Sequence, residues 1–353
     1  MFDRIYVCHT YYHVYVSLLK ECNLPKEEWG KAEIALSTMS TPFDEEFPNR
    51  IRSSGMFCAV HILPEKRYTD FPELVKYNTN YNSFWKHMIN RIIFTKKYAK
   101  MEEPYMTVDF AKYKDIYVYC DSDPIGYYLN AKHIYYHAME DGLDCLVLAD
   151  DAHVDNAGHF KIKALLAAMN IIFICNGYSK YCLDMEINSK DKLKYDCPKY
   201  KVVPRKELER NLTQEQKKCF IKTFMENGEE MLQKLQAPSD KKKCLLLTEP
   251  YHFDEKTQIQ IVKDIYAQYC QGMQVVIKPH PMDRIDYTDV FPDCIVIKGR
   301  FPIEVMNFCE GVYFDKAVSV VTTAMNTLQF VGEKLNLGST FWDAYEDHSL
   351  HDF

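Results

Sequence analysis

At 353 residues, 47% hydrophobic and 14% aromatic, the chain can bury two ordinary cores, and its length favours two domains of roughly 150 to 200 residues. Its 43 Lys and Arg against 50 Asp and Glu give a net charge of −7, which argues against a nucleic-acid binder and leaves any anionic ligand to a local site. The 13 cysteines are odd in number and scattered singly, with no Cys-x-x-Cys pair and no signal-peptide pattern, so a disulfide framework or zinc ribbon is not suggested and a cytoplasmic setting is expected.

In chain order, "RIYVCHT" (4–10), "AEIALSTMS" (32–40), "FCAVHIL" (57–63), "DIYVYCD" (115–121), "HIYYHAM" (133–139) and "NIIFICN" (170–176) are short β-branched and aromatic runs, and each predicts a strand. Helical spacing in "YYHVYVSLLKEC" and "PIGYYLNAK" completes the alternation of a parallel, helix-covered sheet over residues 1–200. Residues 201–240 are highly charged and helical in period, as a connector would be. Strand-like runs resume with "CLLLTEP" (244–250), "QVVIKPH" (274–280), "CIVIKG" (294–299) and "AVSVVTT" (317–323), defining a second, smaller α/β domain over 241–330. Residues 331–353 predict one or two helices and no further strand. The longest apolar stretch, 164–175, is interrupted by Asn170 and falls short of the ~20 residues of a membrane span. Two α/β domains in tandem place a ligand in the cleft at the carboxyl ends of their strands, so chemistry is expected just after strands.

Four stretches meet that condition. In "VVIKPHPMDR" (275–284), Pro279 and Pro281 bias Lys278 and His280 away from the helical region. The imidazole is thereby aimed from a strand end, where it could donate to a phosphate leaving group with Lys278 adding positive charge; a plain turn with a surface histidine is the alternative. In "YYHAMEDGLDC" (135–145), one carboxylate of Glu140-Asp141-Gly142 could serve as a general base while the other bonds nearby backbone, although acidic-Gly pairs also mark ordinary turns. Thr322 and Thr323 precede a helix-forming run and could cap it or bind phosphate. Glu304, just after Pro302, could accept from ribose hydroxyls or only complement a helix dipole. Metal binding is the less favoured reading of Asp121-Ser122-Asp123, of His133 with His137, and of "DDAHVDNAGH" (150–159).

Taken in this order, Glu140-Asp141-Gly142, Lys278-Pro279-His280-Pro281, Pro302-Ile303-Glu304 and Thr322-Thr323 resemble the motifs of the bacterial sialyltransferases. The resemblance is strongest to the lipooligosaccharide and capsular sialyltransferases of glycosyltransferase family 52, which are related to the polysialyltransferases. "YVCHTYYHVYVSLLKE" and "VVPRKELERNLTQEQKKCFIKTF" share it, so it covers most of the chain.

The resemblance implies a GT-B fold, two Rossmann-like domains whose parallel sheets face a central cleft, and an inverting transfer of sialic acid from CMP-sialic acid to a galactose-type terminal sugar of a surface glycan. It implies no cofactor and no metal. Asp141, beside Gly142, would be the general base and His280 would meet the departing CMP phosphate. Thr322 and Thr323 would hold phosphate, Glu304 the ribose, and Lys278 would assist at the anion site. Glu140 and His13 fall on the acceptor side, where Tyr11 and Tyr12 could contribute; His13 could equally pack against its own helix. Thr-Thr replaces a pair in which the family often has serine, which narrows the pocket. The donor, the glycan acceptor, a peripheral membrane contact at the inner face of the bacterial membrane and a homodimer complete the expected partners. A donor carrying Kdo or a polyol phosphate, or a GT-B-like nucleotide-sugar isomerase, are the competing expectations.

Overall fold

The computed structural model describes residues 2–78, 83–119, 121, 124–142, 146, 159–191, 193, 196–249 and 253–346. The chain divides into two compact units, Met1–Thr213 and Gln214–Phe353.

The first unit runs β1 (Phe2–Cys8), α1 (Tyr11–Cys22), β2 (Ala32–Ser37), α2 (Phe47–Ser53), β3 (Phe57–Leu63), α3 (Pro72–Val75), α4 (Phe84–Glu102), β4 (Tyr113–Tyr119), α5 (Pro124–Ala131), β5 (Tyr136–Met139), α6 (Phe160–Ala168), β6 (Cys182–Ile187), β7 (Tyr200–Val202) and α7 (Arg205–Arg210). Its strands form one sheet in the order β3-β2-β1-β4-β5-β6-β7, every pair parallel. All six residues of β2 and the last five of β1 are buried, because helices cover both faces of a parallel sheet. That double burial is why these strands are near-continuous apolar runs rather than alternating ones.

Residues 170–176 are not the strand that their composition predicts. Asn170 (φ 58°) and Asn176 (φ 61°) adopt the left-handed conformation at the two ends, which a strand does not tolerate. Between them Ile172 and Ile174 pack with Met88 and Ala167, while Phe173 joins Phe94, Tyr98 and Tyr127. The apolar content serves a buried loop. The sheet continues instead through β6 and β7, which carry charged residues and escaped the composition-based reading.

The second unit holds α8 (Gln214–Phe224), α9 (Gly228–Gln236), β8 (Lys243–Leu247), α10 (Glu255–Tyr269), β9 (Gln274–Lys278), β10 (Ile295–Val296), β11 (Phe314–Ser319) and β12 (Val331–Asn336). Its five parallel strands take the order β10-β9-β8-β11-β12. The charged stretch 201–240 is divided between the units: β7 and α7 belong to the first, and α8 packs in the second, with Phe220 5.1 Å from Phe308 between ring centres.

Residues 331–336 form a strand where helices were expected. β12 pairs with β11 from Val331 opposite Phe314 to Asn336 opposite Ser319. The open edge of β11 offers a ladder of hydrogen-bond partners, and that tertiary opportunity overrides the helical spacing of "AMNTLQFVGEKLNL". Gly332 permits the approach, since a Cβ there would lie 2.5 Å from the Tyr313 hydroxyl and 3.1 Å from the Asp315 carbonyl oxygen. Residues 323–327 and 339–344 are 3-10 turns.

In each sheet the unit's first strand lies inside, flanked by its successor on one side and a later strand on the other: β1 between β2 and β4, β8 between β9 and β11. The crevice beyond such a switch point is where open α/β sheets bind ligands.

Candidate active site

In the first unit the loop after β1 leads into α1 through Thr10, whose hydroxyl accepts the His13 N–H at 3.2 Å and caps the helix. That cap seats His13 one turn in, buried, with its ring stacked on Tyr119 at 4.3 Å and 7°. The His9 backbone N–H donates to His13 Nδ1 at 3.0 Å, so the neutral ring carries its hydrogen on Nε2. Nε2 faces Oδ1 of Asp141, just beyond β5, and the two are hydrogen-bonded. Burial depresses the His13 pKa although Asp141 pulls the other way, which keeps the ring a neutral donor to the carboxylate.

The Asp141 side chain is 41% exposed, whereas Glu140 beside it is buried and accepts the Asn188 N–H. The pair thus splits into an outward carboxylate and one that ties the loop after β6. His9 Nε2 meets Glu65 at 2.8 Å, and the other Glu65 oxygen accepts the Ile125 N–H at 3.1 Å, linking the segments after β1 and β3 to the start of α5.

In the second unit, two adjacent residues after β8 organise the site. Thr248 accepts the His280 N–H at 3.1 Å and donates to Asp283 at 2.5 Å; Asp283 also accepts from Tyr287 at 2.9 Å. The Met282 N–H donates to His280 Nδ1 at 3.1 Å, which leaves the ring hydrogen on Nε2. Burial, reinforced by the charge of Lys278, lowers the His280 pKa to about 4. Lys278 is buried at the end of β9, with its ammonium on the Pro279 carbonyl at 2.7 Å and 4.2 Å from the Phe301 ring centre. Burial lowers its pKa to about 7 against the opposing pull of Glu304 and Asp283. Lys278, His280 and Glu304 therefore share one electrostatic neighbourhood.

On the other side of β8, Glu249 occupies the backbone N–H groups that lead up to Thr323, where phosphate binding was one of the two expectations. One of its oxygens accepts from the backbone of Val320 (3.1 Å), Val321 (2.7 Å) and Thr322 (2.9 Å), a nest of successive donors. Burial raises the Glu249 pKa, and these three donors work against that rise. Past this nest the chain forms a five-residue 3-10 turn rather than an α-helix, capped by the Thr322 hydroxyl, which accepts the Ala324 N–H at 3.4 Å. Thr323 opens that turn.

Of the metal candidates, Asp121 is fully buried and bonded to the Tyr136 hydroxyl (2.9 Å) and the Asn176 N–H (2.6 Å), with burial lifting its pKa to about 6. Gly126 lets α5 pass over it, since a Cβ there would stand 1.9 Å from the Asp121 carbonyl oxygen. Ser122 and Asp123 lie outside the described residues, as does the stretch 150–158. His133 stacks on Tyr181, and His137 bonds Asp184 at 2.8 Å. Among the described residues no group of three His, Cys, Asp or Glu is arranged to hold a metal ion.

Two open, doubly wound parallel sheets with their polar clusters at the switch points define a protein of the GT-B class. The chain is similar in structure to the α/β-galactoside α-2,3-sialyltransferase of the luminous marine bacterium Photobacterium phosphoreum, with a TM-score of 0.54 and 14% identity over 94% of this chain and 90% of that one. It is similar also to the GT-B domain of a sialyltransferase from Photobacterium damselae, with a TM-score of 0.52 and 15% identity over 94% and 90%. At such identity the likeness is one of fold. The model of glycosyltransferase family 52 matches residues 71–334, so the chain belongs to that family and is a glycosyltransferase. A curated protein of Haemophilus influenzae, described only as uncharacterized, is 32% identical over 95 residues, 26% of this chain and 30% of that relative's length.

Proposed function

We propose that the chain is an inverting sialyltransferase that uses CMP-sialic acid and a galactose-terminated glycan, with Asp141 as general base and His280 assisting the leaving phosphate. The observation that carries this reading is the complementary preparation of the two groups. Asp141 is an exposed carboxylate held by a neutral donor, and His280 is a neutral ring whose Nε2 bears the hydrogen.

In the reaction the acceptor hydroxyl oxygen attacks the anomeric carbon of sialic acid as the bond from that carbon to the CMP phosphate oxygen breaks. Asp141 takes the hydroxyl proton, and the electron pair of the broken bond goes to the phosphate. A single displacement inverts the anomeric centre. Charge builds on the departing phosphate, where the His280 N–H would stabilise it as a preorganised donor. With a pKa near 4 the resting ring acts as a hydrogen-bond donor, and the arriving anion favours its protonation. Glu304 would accept from the ribose, while Thr322 and Thr323 would meet the phosphate through hydroxyls, since the 320–322 N–H groups are engaged by Glu249. Lys278 would act as a buried charge behind the site rather than as a direct ligand.

Mass spectrometry of a reaction with CMP-sialic acid, a lactose-terminated acceptor and EDTA tests the proposal. Sialylated product is expected, reduced by roughly a hundredfold or more in Asp141→Asn and His280→Ala. Full activity in both variants overturns the mechanism. Turnover of another CMP- or CDP-activated donor with CMP-sialic acid untouched overturns the sialyl assignment, and epimerised sugar nucleotide without transfer overturns both.

A further inference from the structure

Two thiols meet inside the second unit. Cys244 lies near the start of β8 and Cys270 closes the carboxyl end of α10; both are buried, and their sulfurs are 3.6 Å apart. A disulfide needs about 2.05 Å, so the sulfurs have about 1.5 Å to close, a distance that small side-chain rotations cover. Other buried thiols face different groups: Cys8 has the Ser17 hydroxyl at 3.5 Å, and Cys309 has the Met225 sulfur at 3.9 Å.

The surroundings set the two sulfurs apart in character. The Cys244 S–H donates to the Cys270 sulfur, and that bond holds the Cys270 thiol below its ordinary pKa, with the Lys316 ammonium adding to the effect and burial opposing it. Lys316 stands opposite Cys244 in the ladder between β8 and β11 and donates to the Tyr269 carbonyl at 3.3 Å. A cation therefore sits at a helix end whose free carbonyls would otherwise disfavour a thiolate. Access lies through the turn after α10, where Gln271 and Gly272 are exposed and a Cβ added to Gly272 (φ 75°) would meet nothing within 4 Å. Local opening of that turn admits a molecule little larger than water to Cys270.

We propose that Cys244 and Cys270 form a reversible disulfide when the protein meets a hydroperoxide, a redox-sensitive staple between β8 and α10. The Cys270 thiolate attacks the peroxide's terminal oxygen and breaks the O–O bond; Cys270 becomes a sulfenic acid, and the leaving oxygen departs with the electron pair and the thiol's proton. The Cys244 sulfur then attacks the Cys270 sulfur and displaces its hydroxyl, which leaves as water with the Cys244 proton. Two thiols are oxidised by two electrons, and one peroxide is reduced. A reducing compartment holds the pair as thiols, and disulfides that form there are ordinarily transient and redox-sensing. The bond would close the loop from 244 to 270, from which Thr248 and Glu249 reach the neighbouring strand ends. The inference rests on no assignment of donor, acceptor or catalytic residue.

Treatment of the reduced full chain with hydrogen peroxide, then blocking with N-ethylmaleimide in denaturant and peptide mass spectrometry, tests it. A linked Cys244–Cys270 peptide is expected, lighter by two hydrogens than its two parts and lost on adding dithiothreitol, together with a melting temperature raised by several degrees in the oxidised protein. Cys294→Ser removes the partly exposed thiol of the same apolar cluster and should leave the link intact. In Cys244→Ala the sulfenic acid has no resolving thiol, so dimedone should tag Cys270. Full maleimide labelling of both residues after peroxide, a link from Cys270 to Cys294 in its place, or a link that forms only when peroxide is added in denaturant overturns the proposal. These outcomes are read on the wild-type chain, so a variant that fails to fold leaves the test decisive.

Discussion

His13 illustrates how a residue with an ordinary sequence context gains a role from geometry. Its cap, its stacking partner and the His9 N–H fix the ring, so its remaining donor can serve only what lies opposite, and that is Asp141. An aimed carboxylate loses less on reaching the transition state than a mobile one. His13→Ala is expected to lower kcat by roughly tenfold to a hundredfold with little change in the donor KM, because misaimed groups cost at that scale. His13→Gln, whose amide can reproduce the Nε2–H donor, should recover part of the loss. Equal kcat in wild type and His13→Ala, measured beside an inactive Asp141→Asn, would show that the base needs no such support. The sequence offered His13 as one of several acceptor-side side chains; its link to Asp141 spans 128 residues, and no local pattern records such a distance.

At the scale of elements, the carboxyl end of β8 joins both halves of the second unit's site. Thr248 reaches the loop after β9 and Glu249 the loop after β11, the two neighbours of β8 in the sheet. Neither residue was legible as functional in "CLLLTEP", where a polar pair before a proline ends a strand in the commonest way. Glu249→Ala removes the acceptor of three N–H groups and is expected to free the 320–322 loop. In isothermal titration CMP should then bind about tenfold or more weakly, and Glu249→Gln, which retains an acceptor oxygen, should bind more tightly than Glu249→Ala. The central strands were readable because burial on both faces makes them continuous apolar runs. β7 and β12 were not, because edge positions tolerate charge and glycine and pairing decides their conformation; β6, inside the sheet, was hidden by Asp184 and Glu186, whose partners His137, Lys201 and Lys20 are not near them in sequence. The loop at 170–176 misled for the converse reason: its side chains are as buried as those of a strand while its backbone turns at two asparagines.

For the molecule as a whole, Glu102 is a stability liability with a definite sign. Its carboxyl is buried at the end of α4, accepts the Lys66 N–H at 3.2 Å, and has its pKa raised to about 8 by burial. An unfolded glutamate titrates near 4.3, so between about 4.3 and 8 the folded state binds more protons and stability falls as pH rises. Glu102→Gln should therefore melt a few degrees higher than wild type at pH 8 and about equally at pH 5, as followed by circular dichroism. Equal melting at both pH values would mean that the carboxyl is charged in the folded protein.

The internal position of β8 also governs the order in which the protein can be finished during synthesis. Glu249 finds its partners 71 to 73 residues downstream, and β8 lacks one neighbour until β11 has been made. At roughly 5–20 residues per second the ribosome leaves that carboxylate waiting for several seconds, beside a strand with one open edge. The first unit has His13 and Asp141 in hand long before. A chain stopped short of residue 314 keeps His280 and Glu304 but lacks β11, so β8 has an open edge and Glu249 has none of its three backbone donors.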